Sequence, residues 1–479
     1  MPDATILASA PFPLVLRNFV PTGLSGELER REDVRVHFVS PYRTPEFTDA
    51  EGRSFPNHPI TAEPGPNGVP LPHGVTALDR AIKSIHLTGF ALEFPEGSLQ
   101  NLELSRRRSA QAALARALVG AAPRGSARRQ WLRGVAALYR PSRREIRDAF
   151  ERIDPSLVLV ASPGHYWLDH FVLDEAARRD VPSACVVLSW DNLYSRGPMC
   201  RRPDRLLVWS EEMRRQAVDV HQFPADRIGV VGPLQFRFYA EPPAGHEIAA
   251  MRRRVGLGPA EPFLAYVCGA RTARYDVEDV TAMLDRLAAG PYRELRVVLR
   301  PHPQGSREAY EVLRARGVLL DPSPDLTDED THPEALDTGE IRHMASLLSA
   351  ARFVVSSWGT TALLEACIFD TAAVQLRWMD VLPRTAPHEA QLVRDFQRYI
   401  HMRAFDATGA RPYCDHPDQL NGTLAELEAR RAEYSRRRAD AVARLTRLPL
   451  DGVVDRVCTA LEPELGGGRR SASAAVVTR

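Results

Sequence analysis

Short, unbroken apolar runs recur along both halves of this chain, most of them closing on small or polar residues and several leading into a helix-compatible stretch. In the first half they are residues 5–8, VRVHFVS (34–40), LVLVAS (157–162), SACVVLSW (183–190) and RLLVWS (205–210). In the second they are FLAYVC (263–268), LRVVLR (295–300), ARFVVSS (351–357) and AAVQL (372–376). A strand covered on both faces loses the polar alternation of a half-exposed one, and parallel strands need a crossover between them, usually a helix. The cadence predicts an α/β fold with two nucleotide-binding-style domains, and 479 residues suffice for two cores.

Between the halves, residues 232–245 hold three prolines and read as the interdomain linker. The expected layout is a first domain over 1–238, a second over 239–445, a C-terminal helix over 446–465 and a disordered tail over 466–479. That tail, GGGRRSASAAVVTR from 466, lacks the apolar residues to pack. Residues 41–74, rich in Pro, Gly and Asn and without a sustained period, read as a long loop. Residues 418–445 carry one heavily charged helical pattern.

A 44% hydrophobic and 26% charged composition is that of a globular chain. A net charge of +1 leaves no global field, and with no recognisable RNA or DNA module, nucleic acid is not an expected partner. Cys185, Cys200, Cys268, Cys367, Cys414 and Cys458 show no CxxC spacing and no His at a zinc-finger offset. They read as buried thiols in a reducing compartment, with no metal site. The N-terminus has no basic segment ahead of its apolar stretch, and no run of roughly twenty apolar residues occurs, so a cytoplasmic location is expected. One local exception opens at Arg106 and closes at Arg147, with twelve arginines and a single acid, Glu145. Interleaved with Leu114, Leu118, Trp131, Leu132, Leu138 and Tyr139, it suits peripheral contact with anionic membrane on the cytoplasmic face. It also suits a solvated helix pair in an arginine-biased protein whose only lysine is Lys83.

Open parallel sheets bind ligands beyond the carboxyl ends of their strands. At one such end stands Ser356-Ser357-Trp358-Gly359-Thr360-Thr361, followed by the helical ALLEA. Exposed amides at that helix start suit an anion, Gly359 admits a phosphate to the backbone, and Glu365, one turn in, suits ribose hydroxyls. A plain capped helix after a strand is the bland alternative. Arg300 and His302, in RPHP after another strand of the same half, offer further phosphate donors. Arg271 and Thr272, in GART after FLAYVC, face the same ligand. In the first half, Ser189-Trp190-Asp191-Asn192 ends a buried strand with an acid that packing does not require. Asp191 is the candidate general base and His165, after Pro163-Gly164, its competitor; Trp190 and Asn192 flank the site. Arg17 and Asn18 follow the apolar 14–16 and complete the candidates of that half.

The order SWDNL, LLVWSEEMRRQ, VVGPLQFRFY, RPHP, SSWGTTALLEA resembles GT-B enzymes of bacterial surface-carbohydrate and capsule biosynthesis. It is also similar to the CDP-glycerol glycerophosphotransferases of teichoic acid synthesis and, more distantly, to UDP-sugar 2-epimerases. The match covers roughly 157–374 and the start of the chain, and leaves 41–150 unplaced. The resemblance implies two Rossmann-like domains facing across a cleft, the acceptor on the N-terminal side and the nucleotide donor on the C-terminal side. It implies no metal or other cofactor, because Arg300, His302 and the amides of Gly359, Thr360 and Thr361, beside Ser357, meet the diphosphate. It assigns Glu365 to the ribose. Asp191 falls where the teichoic-acid enzymes carry the His of a T-W-H-G loop, and their D-Y-S-S sequence is missing here. Both departures favour sugar transfer from a nucleotide-sugar donor to a glycan, lipid-linked or natural-product acceptor. Polyol-phosphate transfer from a CDP-activated donor, epimerisation of a UDP-sugar, and a non-enzymatic nucleotide binder are the alternatives.

Overall fold

A computed structural model of the chain describes residues 4–466 apart from 33, 64, 66–68, 94–109, 122–123, 141, 196–198, 200, 271, 303–306 and 323–337. The tail expected over 466–479 lies outside the described residues from 467 on, as do Arg271, Cys200 and the arginines 106–108.

The apolar runs form strands, several of them trimmed at their polar ends. In chain order the first unit contains β1 (Ala4–Ser9), β2 (Val34–Ser40), β3 (Glu46–Thr48), β4 (Ser54–Pro59), β5 (Ala62–Glu63), β6 (Leu71–Pro72), β7 (Leu157–Val160), β8 (Ser183–Val186), β9 (Arg205–Val208) and β10 (Ile228–Val230). Eight of them build one sheet in the order β10-β9-β8-β7-β1-β2-β4-β3, parallel except for the β3–β4 pair; β5 and β6 pair separately. The chain runs outward from β1 through β2 to β4, then returns to β7 on the other side of β1. That reversal is the topological switch point at which such sheets bind ligands.

The stretch 41–74, expected as loop, contains β3 to β6. Its strands are short, and β4, which carries Pro56, Asn57 and Pro59, is paired with β3 over 54–56 and with β2 over 57–59. Each stretch is thus bordered on one side at a time, which tolerates proline and which an apolar-run criterion misses. Their hairpin turn is specified locally: Asp49 Oδ1 accepts from the amides of Glu51 at 3.0 Å and Arg53 at 2.9 Å, and Gly52 takes φ 79°.

The second unit contains β11 (Phe263–Val267), β12 (Arg296–Arg300), β13 (Leu319–Leu320), β14 (Phe353–Ser356), β15 (Ala372–Leu376) and β16 (Tyr413–Cys414). They form a parallel sheet in the order β13-β12-β11-β14-β15-β16, with its switch point between β11 and β14. The charged pattern over 418–445 is two helices, Leu420–Ala429 and Arg431–Leu445, divided at Arg430. Each sheet has its own core: Leu7, Val36, Phe38, Leu159 and Leu207 are fully or almost fully buried in the first unit, and Leu264, Tyr266, Leu299 and Val355 in the second.

By contact density the division falls between Arg237 and Phe238, and the chain from Asp451 on belongs with the first unit. The helix Val453–Gly466 buries Val453, Val457, Cys458 and Leu461 in the same cluster as Leu28, Val34 and Leu207. Ion pairs Arg31–Asp455 (2.6 Å) and Arg205–Glu464 (2.8 Å) flank it, and Arg456 Nε donates to the Val231 carbonyl at 2.8 Å. Burying each large aliphatic side chain of this helix stabilises the unit by about 1.5–3 kcal/mol.

Candidate functional site

Both switch points are built from the motifs that end the strands, and in both a buried aspartate ties the strand ends together. In the second unit Ser356 Oγ donates to the Val267 carbonyl at 2.7 Å, stitching β14 to β11. Ser357 is fully buried; its hydroxyl donates to Asp279 and lies 2.9 Å from Tyr266 Oη, while its carbonyl accepts from Gln397 Nε2 at 2.8 Å. Trp358 stacks on Phe396 with ring centroids 4.4 Å apart. Thr360 caps the helix Thr361–Ile368, its Oγ1 accepting from the Ala362 amide at 3.3 Å. A Cβ at Gly359 would stand 2.6 Å from Met402 Cε, the tip of a flexible side chain that a larger residue would displace. Glu365, one turn into the helix, accepts from Tyr239 Oη at 3.0 Å.

Neighbouring strand ends carry the other candidates. Thr272 is buried and turns its hydroxyl inward to Asp276 Oδ2 at 2.9 Å. Arg300, at the end of β12, donates from Nη1 to Asp321 Oδ2 at 2.6 Å and lies 3.7 Å from Glu340. Asp321 also meets His343 Nε2 at 2.9 Å. Although burial pushes that carboxyl up, the Arg300 charge and the His343 contact hold it down at about 2. Arg300 is thus a guanidinium with Glu340 near one nitrogen and anchored at the other by Asp321, a partner that the sequence does not single out. Its only signal was an acid directly after a two-residue strand. His302 follows in the same loop, half-buried.

In the first unit Asp169, fully buried on the helix Trp167–Arg178, accepts from Ser9 Oγ and from Ser162 Oγ, each at 2.6 Å. It therefore bolts the end of β1 to the end of β7 at the switch point. Burial pushes its carboxyl up to about 7, against the pull of these hydroxyls and of Lys83. Ser162 Oγ also accepts from the His165 amide at 3.2 Å, and Gly164, with φ 79° and no room beside the Arg201 amide, makes the turn between them. His165 is held in a buried position by Lys83 Nζ, which donates to its carbonyl at 2.6 Å and lies 4.3 Å from the centre of the Trp167 ring. Neither Lys83 nor Asp169 was a sequence candidate.

Asp191 lies beyond β8, the neighbour of β7, half-buried; Ser189 Oγ donates to its Oδ1 at 2.5 Å. Trp190 and Asn192 are buried on either side, and Asn192 begins the short helix Asn192–Ser195. Arg17 and Asn18 lie on the helix Pro13–Phe19 that follows β1; Asn18 is buried against Gln235, with Nδ2 at 3.4 Å from Oε1. Among the described residues no group of His, Cys, Asp and Glu is arranged to hold a metal ion, and no helix is long and apolar enough to cross a membrane. Several arginines of the basic stretch pair internally, Arg143 with Asp79 at 2.5 Å and Arg147 with Glu151 at 3.9 Å.

No family model matches the chain, and no curated protein does. Among solved structures it is similar to S. aureus MnaA in its UDP co-structure, at 11% identity and TM-score 0.52 over 97% of each chain. A Listeria monocytogenes structure described as a UDP-N-acetylglucosamine 2-epimerase matches at 11% and 0.52, over 99% of this chain and 100% of the other. A variant of the wall teichoic acid polymerase TagF matches at 8% and 0.50, over 98% and 91%. At such identities the likeness is one of fold: two Rossmann-like domains of the GT-B type.

Proposed function

We propose that this chain is a glycosyltransferase that moves a sugar from a nucleotide-sugar donor to a glycan, lipid-linked or natural-product acceptor. The observation that carries the reading is the capped helix Thr361–Ile368 at the switch point of the second sheet, where the Thr360 amide is taken by the Trp358 carbonyl at 2.7 Å and the helix start falls to Gly359 and Thr361. Backbone amides there suit a diphosphate without a cation. Arg300 and His302 supply further donors from the end of β12, and the Asp321 pair keeps the Arg300 fork oriented in advance. Glu365 accepts from the ribose. The UDP in the MnaA co-structure supports a nucleotide ligand for this fold.

The acceptor belongs to the first unit in this reading, with Asp191 as the general base that takes the hydroxyl proton and His165 as its competitor. Peripheral contact with anionic membrane through the basic stretch, on the cytoplasmic face, would suit a lipid-linked acceptor. Incubation with UDP-, GDP-, dTDP- and CDP-activated donors tests the proposal. Release of a nucleoside diphosphate with transfer of the sugar is expected. Release of a nucleoside monophosphate would replace it with group-phosphate transfer. Conversion of a UDP-sugar to its C2 epimer would replace it with the epimerase reading that the Listeria fold supports.

A further inference from the structure

Four buried residues of the second unit form an unbroken chain of contacts beneath the strand end that carries residues 356–361. Tyr266 Oη lies 2.9 Å from Asp276 Oδ1 and 2.9 Å from Ser357 Oγ, and Ser357 Oγ is bonded in turn to Asp279 Oδ2. The other oxygen of each acid is also engaged. Asp276 Oδ2 accepts from Thr272 Oγ1 at 2.9 Å and Tyr310 Oη at 3.2 Å, and Asp279 Oδ1 accepts from Arg384 Nη2 at 2.6 Å.

The hydrogens can be counted. The chain has three links, but its two hydroxyls bring one proton each. With both acids ionised, Tyr266 donates to Asp276 and Ser357 to Asp279. The middle contact then sets two oxygen lone pairs against each other at 2.9 Å, in a buried site where an unmade hydrogen bond is expensive. A third proton, on Asp276 Oδ1, completes every link. The acid donates to Tyr266, Tyr266 to Ser357, and Ser357 to Asp279. Asp276 is the better holder, because its neighbours are the hydroxyls of Thr272, Tyr266 and Tyr310, whereas Asp279 faces the Arg384 guanidinium.

We propose that Asp276 keeps this third proton, and that the completed chain makes Asp276 and Tyr266 positioning residues that hold Ser357, and with it the loop 356–361, in its anion-binding form. The second half of this statement rests on the nucleotide site described above; the first does not. Burial pushes the Asp276 carboxyl up to about 8 and the Asp279 carboxyl up to about 6, the order that the neighbours dictate. The ionisable groups that face the chain are Tyr266 and Cys268 on or next to β11, and Tyr310 from the 3-10 helix Glu308–Arg316. Tyr275, Glu278 and Asp279 face it from the helix Ala273–Ala288 that bears Asp276, and Arg384 from the segment after β15. Loss of the proton returns the Tyr266 hydrogen to Asp276, turns the Tyr266–Ser357 contact repulsive and loosens the loop.

Infrared spectroscopy of the full chain reads the proton directly, through the C=O stretch of a protonated aspartic acid. In the difference between wild type and Asp276→Asn a band is expected at neutral pH that Asp279→Asn retains and the wild type loses as pH rises through about 8, the contribution of buried Asp169 cancelling because both proteins carry it. Identical spectra for the wild type and Asp276→Asn would overturn the assignment. If Asp276→Asn does not fold, Ser357→Ala takes its place. It removes the opposed oxygen, so the band should vanish at lower pH than in the wild type, and an unmoved midpoint overturns the proposal. Calorimetric titration with UDP reads the consequence. Above the midpoint, wild-type affinity should fall about tenfold per pH unit, as for binding linked to one proton. Asp276→Asn, whose amide supplies the hydrogen at every pH, should show a flat profile. A flat wild-type profile overturns the link to the loop. Failure of UDP, and of CDP and GDP, to bind at any pH, with the band behaving as expected, sinks the nucleotide site and leaves the proton in place.

Discussion

Lys83 Nζ donates to the backbone carbonyl of His165 across 2.6 Å while its ammonium stands over the Trp167 ring. In a protein whose other side-chain cations of fixed charge are arginines, the one lysine is placed where a compact, three-donor charge meets a carbonyl and an aromatic face together. Lys83→Met removes the bond and the cation–π contact and should lower stability by about 1–3 kcal/mol, with Lys83→Arg failing to restore it. Denaturant unfolding of the two variants checks this. A fully stable Lys83→Met would show that His165 is held by other means.

Arg300 carries two roles at once. Arg300→Ala leaves Asp321 as a buried charge with His343 alone, so it should cost about 3–5 kcal/mol of stability. In the fraction that folds, nucleotide affinity should weaken by roughly 1.5–3 kcal/mol, the worth of a charged hydrogen bond. Unfolding curves and calorimetry separate the two, and unchanged nucleotide affinity would confine Arg300 to holding Asp321.

For Asp191 the informative change is Asp191→Asn, which keeps size and the Ser189 contact but removes basicity. Turnover should fall by roughly 100-fold or more, as loss of a general base requires, with donor binding intact. Near wild-type turnover would pass the role to His165.

Stability should respond to pH through Asp169. Its folded carboxyl is raised to about 7, so the folded chain retains a proton that the unfolded chain releases from about pH 4 upward. That contribution is present in acid and lost as pH rises through about 7. Buried His86, held down at about 3, and His221, at about 4, act in the opposite sense, losing their contribution as pH falls from about 6.5. Asp169→Asn should flatten the decline between pH 4 and 7 by about 1.4 kcal/mol per pH unit. Thermal unfolding across that range measures it; an unaltered slope would mean that Asp169 is ionised throughout.

The strands were legible in the sequence because a covered parallel strand has one pattern, a continuous apolar run, wherever it occurs. The Ser356–Ser357 motif and the Thr360 cap were legible for a related reason, since a strand end and a helix start are local events. The carboxylate clusters were not. Asp276 and Asp279 lie in ARYDVEDV, which has the look of a solvated helix face, and only Tyr266, Ser357 and Arg384, distant in sequence, reveal that the acids point inward. Asp169 is hidden in the same way, because Ser9 lies 160 residues away. The strands β3 to β6 escaped because they are short and because β4, bordered on one side at a time, admits proline and asparagine. Which surface the helix Val453–Gly466 covers is equally absent from its own residues.

That last helix has a consequence for how the chain is made. Because Val457 and Leu461 complete a core begun by Ile6 and Val34, the first unit to emerge during synthesis is the last that can close. Residues 238–450 form an insertion inside it and have all their own strands well before Leu461 is translated. The nascent first unit must therefore carry an open apolar groove, lined by Leu28 and Leu207, through the making of more than two hundred further residues. Order of synthesis and order of completion run in opposite directions in this protein.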